Sequence, residues 1–181
     1  PEGPLQVLMA GSFLLTAYDV ATGEKRWWVG GLPFEMKSTP VMDSDTLYVH
    51  GFSTPLNQPG RQVKVDSWED TIAVHDANGD GLIAPDEFPH ERTRGFFSFV
   101  DLDADGQLDE DSWNYYRAAM MSLNGMVAIR LGGSGDMTEH SVVWRYHRSV
   151  PQLPSPLLYQ GVLYMINDGG IATSFRPSTG E

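Results

Sequence analysis

Hydrophobic positions along the chain follow two different rhythms. In residues 1–52 and again in 124–181, short runs rich in Val, Leu and Tyr are broken by Gly, Pro and Thr-Gly turns. That is the pattern of strands joined by tight connections. It predicts strands at 5–10, 12–19 and 25–29; at 38–43, 45–51, 124–131 and 141–146; and at 155–159, 161–166 and 170–176. Between these two parts, over 53–123, the rhythm turns helical. Val65–His75 reads as one helix, and Phe88 begins a short one. Glu91–Val100, with Phe96, Phe97 and Phe99, reads as the next, and Asp109 caps a last helix carrying Trp113, Tyr116 and Met120. The aromatic residues are expected to bury one face of each helix.

The strand-forming parts repeat. Ser38-Thr39-Pro40 ahead of Leu47-Tyr48-Val49 is echoed by Pro154-Ser155-Pro156 ahead of Leu163-Tyr164-Met165, with seven residues from Pro to Leu each time. Thr22-Gly23-Glu24 is echoed by Thr179-Gly180-Glu181, and Trp27 by Trp144. Thr22 to Thr179 is 157 residues and Trp27 to Trp144 is 117, so the difference is 40. A period near 40 is that of a four-stranded repeat. The remaining 77 residues (117 minus 40) match one insertion of the helical segment with its linkers.

The stretch Ala17 to Trp27 resembles the tryptophan-docking motif of quinoprotein-like β-propellers, A-x-D-x-x-T-G-x-x-x-W, at Ala17, Asp19, Thr22, Gly23 and Trp27. A second copy, Ala128 to Trp144, is degraded: Arg130 stands where Asp would, and Gly132-Gly133-Ser134-Gly135 replaces a tight turn. The resemblance covers roughly 1–52 and 124–181. It implies a mainly β fold, a partial β-propeller of about two and a half four-stranded blades, in which each Trp packs on the neighbouring blade. Ten strands cannot close a ring of about four to eight blades, so the expectation is a piece of a longer protein. Up-and-down connections would then put the insertion on the face carrying Phe34, Glu35, Lys37, His147, Arg148 and Gln152.

The insertion carries the candidate chemistry. From Asp76 to Glu87 the chain follows D-x-[DN]-x-[DN]-G-x5-E at every fixed position. Asp76, Asn78 and Asp80 supply oxygen at positions 1, 3 and 5, and Gly81 allows the sharp turn at position 6. Leu82 offers its carbonyl at position 7, a water serves beside Ala84 at position 9, and Glu87 offers two oxygens at position 12. Ile83 at position 8 points away from the ion. Such a set suits Ca²⁺, a hard cation that takes six to eight oxygens. A second loop has Asp101, Asp103, Asp105, Gly106, Gln107, Leu108 and Asp109 at positions 1, 3, 5, 6, 7, 8 and 9, but Ser112 at position 12. Ser cannot bind through two oxygens, and Asp111 is one residue early. The second loop is either a weak site or a structural mate of the first. Together the two resemble an EF-hand pair, so the fold class is a partial propeller with an inserted α-helical EF-hand pair.

Charge follows the same division. The 181-residue chain has a net charge of -12, with 24 acids and 12 Lys or Arg. Residues 61–125 contribute 14 acids and 5 bases, or -9, and the rest contributes 10 and 7, or -3. The acidity belongs to the calcium loops, and it argues against nucleic-acid binding. There is no run of 18 apolar residues, hence no membrane span, and no Cys, hence no disulfide.

Two functional classes remain. One is a calcium-binding scaffold, with the helical pair stabilising a cap or docking arm for a protein or small-molecule ligand at the propeller face. The alternative implied by the resemblance is a PQQ-dependent alcohol or sugar dehydrogenase, with PQQ bound by the full-length protein. His147 or Arg148 could contact a quinone carboxylate, but no cofactor cradle or Asp base carries over residue by residue, and catalytic residues are not identified. His50, His75, His90 and His140 share no metal-ligand spacing. Modest calcium affinity is filled outside the cytosol, so the expected setting is periplasmic or extracellular.

Overall fold

The computed structural model describes residues 3–55, 57–89, 95 and 97–181. The chain forms two compact units: Pro1–Gln62 with Ser122–Glu181, and Val63–Met121. This division falls inside the boundaries expected at 53 and 123. The fold is mainly β, with eleven strands among the described residues in three sheets, none closed into a barrel.

The first unit holds all three sheets. In the first, β1 (Gln6–Gly11), β2 (Leu14–Asp19) and β3 (Lys25–Gly30) run antiparallel. The second contains β4 (Val41–Asp43), β5 (Thr46–Gly51), β6 (Gly125–Arg130) and β8 (Val142–Tyr146), in that order and antiparallel throughout. In the third, β9 (Leu157–Tyr159), β10 (Val162–Ile166) and β11 (Ala172–Phe175) are antiparallel neighbours. The eleventh strand, β7 (Gly135–Asp136), was not expected. It pairs in parallel with β3 through Trp27–Gly135 and Trp28–Asp136, so the Gly-rich stretch is a sheet edge as well as a turn. It leads into a short helix, α4 (Thr138–Ser141). Strands expected from 38 and 155 start later, at 41 and 157. Their leading residues bond elsewhere: the Ser38 hydroxyl donates to the His50 carbonyl at 2.7 Å, and Thr39 N–H donates to Ser155 Oγ at 2.9 Å.

Side chains alternate across a strand, and the second sheet uses both faces. Leu47, Val49, Val127 and Ile129 join Leu15, Ala17, Trp27 and Val29 of the first sheet in one core. Their neighbours Tyr48, Met126 and Ala128 join Leu163, Met165 and Phe175 of the third sheet in another. A strand buried on both faces reads as a continuous apolar run, and Met126 to Ile129 is one.

Two tryptophans close the contacts between sheets. Trp144 stacks between Tyr48 and Phe175, with ring centroids 5.9 and 6.0 Å away, and its Nε1–H donates to the Pro177 carbonyl at 2.7 Å. The ring lies against Gly180, where an added Cβ would come within 2.7 Å of Trp144 Cδ2. Trp27 donates to Gln6 Oε1 at 3.0 Å. The Thr22-Gly23 turn has the same backbone twist as Thr179-Gly180, φ 73° against 75°, but the space over Gly23 is open.

Between β5 and β6 lies the long excursion, yet Gly51 and Gly125 still pair. A side-chain clasp holds its two ends. The Asn124 carboxamide accepts from Ser53 N–H (2.7 Å) and donates to the Thr54 carbonyl (2.8 Å). Asn124 N–H donates to the Asn57 carbonyl at 2.9 Å, and the Asn57 amide donates to the Ser122 carbonyl at 2.8 Å. Both asparagines are buried, so these bonds satisfy groups that water cannot reach.

The second unit contains α1 (Trp68–His75), α2 (Phe97–Val100) and α3 (Glu110–Met121). Helix α1 starts three residues later than expected because Ser67 caps it, accepting from Asp70 N–H at 3.2 Å. The residues before it are held by α3: Arg117 Nε donates to the Val65 carbonyl and Trp113 Nε1 to that of Asp66, both at 3.0 Å. Of the helix expected over Glu91–Val100, residues Glu91 to Arg94 and Phe96 lie outside the described residues, as does His90, and α2 is the rest. Phe88, expected to begin a helix, lies in a loop. It meets Phe97, Trp113 and Tyr116 at 5.8, 6.0 and 5.6 Å at the centre of the aromatic core, whereas Phe99, expected in that core, is exposed.

Gly23→Ala and Gly180→Ala both place a Cβ in left-handed backbone, which costs about 1–2 kcal/mol. Only Gly180→Ala also displaces an indole, so it should lower denaturation free energy measurably more than Gly23→Ala; equal losses would refute the contact. His50 is fully buried, donates from Nε2 to the Pro154 carbonyl at 2.7 Å and leaves Nδ1 without a protein partner. Burial pushes its pKa below the ordinary 6.5, against the Pro154 bond and the more distant Asp168, which favour the charged form. Below 6.5 the unfolded chain therefore takes up the proton first, and stability from this group, fully present above 6.5, falls as pH drops. In chemical denaturation below pH 6.5, His50→Gln should lose less stability per pH unit than the native chain.

Candidate metal centre

Each acidic loop folds around the carboxylate at its first position. Asp76 follows α1, and its Oδ1 accepts from Gly79 and Asp80 N–H at 2.7 and 3.2 Å while Oδ2 accepts from Gly81 N–H at 2.9 Å. Asp101 follows α2, and its oxygens accept from Asp105 N–H at 3.2 Å and Gly106 N–H at 2.9 Å. The fifth positions agree as well: Asp80 Oδ1 accepts from Leu82 N–H at 2.9 Å, and Asp105 Oδ1 from Gln107 N–H at 2.8 Å. Gly81 and Gly106 turn the chain with φ of 78° and 88°, values that favour glycine.

A backbone bridge ties the loops to each other. Ile83 N–H donates to the Leu108 carbonyl at 3.0 Å, and Leu108 N–H donates back to Ile83 at 2.9 Å. Both side chains are fully buried in the aromatic core. The apolar residue at position 8 thus turns inward in each loop, while Asn78, Asp80, Asp103 and Asp105 are exposed.

The loops differ at position 12. The Glu87 carboxylate accepts from three backbone N–H groups, Ala77 at 2.9 Å, Asn78 at 3.3 Å and Ala84 at 3.0 Å. Ser112 takes the matching place in the second loop, its Oγ accepting from Leu102 N–H at 3.5 Å. Asp109, expected as a ligand and a cap, accepts from Ser112 N–H at 2.8 Å as a cap should. The Ser112 N–H and hydroxyl hold the Asp109 carboxyl below its ordinary value. Asn78 donates from its amide to Asp80 Oδ2 at 2.9 Å and accepts from Asp80 N–H at 2.8 Å. The Gln107 side-chain oxygen is buried without a hydrogen-bond partner.

Reach decides whether a cation fits. Ca²⁺–oxygen bonds run about 2.3–2.6 Å, so two ligands of one ion stand no more than about 5 Å apart. Oxygens of Asp101, Asp103 and Asp105 all lie within 4.8 Å of one another, the one such group of three among the described residues. The second loop passes this test with carboxylates alone. The first offers Asp76, Asp80 and the neutral amide of Asn78, with Glu87 folded back on the loop backbone. The preference for the first loop read from its complete motif is therefore not mirrored in how closely the acids converge.

The residues expected around the sheets' loop face are partly gathered. Glu35 Oε2 pairs with Lys37 Nζ at 2.8 Å and accepts from Gln152 Nε2 at 3.0 Å, and Gln152 N–H donates to Asp168 Oδ2 at 2.8 Å. His147 Nδ1 bonds the Asn124 carbonyl at 2.8 Å, and Phe34 N–H donates to Ser122 Oγ at 3.1 Å, while Arg148 is exposed. No helix among the described residues is long and apolar enough to cross a membrane. Against known proteins, the chain matches no family model, and no curated protein matches it.

Position 12 gives a direct test. Ser112→Glu adds the missing charged ligand beside three converged carboxylates, and affinity in such loops rises with ligand charge. Calcium binding to the second loop should tighten by about tenfold or more, ~1.4 kcal/mol, in a calorimetric titration. Unchanged binding would contradict the assignment of Ser112 as the weak position.

Proposed function

We propose that the helical unit binds calcium through its two bridged loops, as an EF-hand pair, and that this stabilises a long insertion in a β-propeller-type repeat array with a binding or scaffold role. The observation that carries the reading is the shared bonding of the two loops. Position 1 accepts from the N–H groups four and five residues on, position 5 from that two residues on, and position 8 bridges to its counterpart. Such agreement in all three features is not expected of two unrelated acidic turns. The propeller reading is supported by the four-stranded second sheet, packed on both faces, and by Trp144 seated on the Thr-Gly turn of the following sheet.

In this reading Asp101, Asp103 and Asp105, with the Gln107 carbonyl, hold one ion, and Asp76, Asn78, Asp80, the Leu82 carbonyl and Glu87 hold the other. The ion supplies positive charge that offsets repulsion among the acids. With the oxygens within 4.8 Å of one another, that repulsion is about 1 kcal/mol per pair even in bulk water. The protein's part is to hold the acids together beforehand. The loop N–H groups orient the carboxylates, and Ile83 and Leu108 fix each loop to the core.

The experiment is thermal melting of the whole chain with calcium and with chelator. Saturation at about one hundredfold over Kd adds about 2.7 kcal/mol per site, so melting should shift up by several degrees. In Glu87→Gln the shift should shrink and in Asp101→Asn it should shrink separately. Identical melting with calcium and chelator would reject the proposal.

A further inference from the structure

An open cleft of about 330 Å³ lies between the first and second sheets, wholly within the sheet-bearing unit. Its floor is apolar: Leu32, Pro33 and Val127 are buried, and Phe13 and Leu123 flank them. Its polar edge is Arg145 and His147, both from the end of β8 and the residue beyond it.

Arg145 is the informative residue. One guanidinium N–H donates to the Gly31 carbonyl at 2.9 Å. A guanidinium has five N–H donors, and Arg145 makes no ion pair among the described residues. This holds in a chain with 24 acids and only 12 Lys or Arg, where carboxylates are in excess. Much of the Arg145 side chain is open to solvent, and desolvation of the rest lowers its pKa, with no negative neighbour to offset it. His147 has a fixed ring, because Nδ1 bonds the Asn124 carbonyl, so Nε2 is the nitrogen left for another partner. Gly125 keeps space for that ring: a Cβ there would come within 3.2 Å of His147 Nδ1.

We propose that this cleft binds a small organic anion, a monocarboxylate with a compact apolar body, its carboxylate on Arg145 and its body on Leu32, Pro33 and Val127. The volume stands at the lower end of the range for small-molecule sites, which suits a molecule of benzoate's size better than a peptide. The planar guanidinium fork matches a carboxylate through two parallel bonds. An apolar floor under a cation discriminates against inorganic anions, which would leave the floor wet, and against neutral analogues, which would gain no charge-assisted bond from the guanidinium. The site stands apart from the calcium reading, since none of its residues belongs to the acidic loops.

The test uses the whole chain and two probes of one shape, benzoate and benzyl alcohol, followed by ligand-observed NMR and by chemical-shift changes in the protein. Benzoate should bind and shift Arg145, His147 and Val127 resonances, and benzyl alcohol should bind at least about tenfold more weakly. Arg145→Gln should weaken benzoate by a similar factor, and Arg145→Lys, which keeps the charge without the fork, by less. Equal binding of the two probes to the native chain would overturn the proposal whether or not the variants fold. So would absence of benzoate binding at millimolar concentration, or benzoate binding that Arg145→Gln leaves unchanged.

Discussion

Gly51 must meet Gly125. The second sheet exists only if β5 and β6 pair, yet the chain makes its long excursion between them. Closing a long loop costs conformational entropy that grows with its length, though slowly. The strands return that cost only if the ends are held and the excursion is itself ordered. Two features meet these needs. The buried Asn57 and Asn124 fasten the ends through bonds to Ser53, Thr54 and Ser122. Within the excursion, the aromatic core around Phe88 and Trp113 orders the helices, and the Ile83–Leu108 bridge orders the loops.

The pairing also governs packing. Once β5 and β6 are in register, the pleat directs Leu47, Val49, Val127 and Ile129 to one side and Tyr48, Met126 and Ala128 to the other. A slip by one residue would exchange the two sets. The first and third sheets would then meet the wrong faces. Trp144 reads the same register from the edge: it stacks on Tyr48 across the sheet and reaches Phe175 and Gly180 of the next.

Much of this was legible because it rests on periodicity. Apolar runs in residues 45–51 and 124–131, bounded by turn residues, and the recurring Pro-to-Leu spacing located the strands to within a few residues. The change from strand-like to helical rhythm after residue 52 marked the long excursion that the structure shows between β5 and β6. The acidic loops were legible because each turn position needs a particular short side chain. What the sequence left hidden depends on which partner a group meets in space. Gly135 and Asp136 lack any strand-like pattern, and they form a strand because Trp27 and Trp28 offer an open edge. Ser38 and Thr39 look like strand residues but bond His50 and Ser155 through side chain or backbone. Glu87 completes a motif, yet its oxygens meet loop N–H groups, while the incomplete second loop brings three acids together. The cleft beside Arg145 has no motif at all, since its residues come from four separate stretches.

The central claim is that the two bridged loops hold calcium. Isothermal titration of the chelator-treated whole chain with calcium tests it most directly, read for the number of ions bound. The account predicts two ions, the Asp101 loop being one of the sites, with Asp103→Asn removing one ion and leaving the other. No heat at any calcium concentration up to several millimolar, with the chain folded throughout, would contradict it and leave the loops as acidic turns held by their own hydrogen bonds.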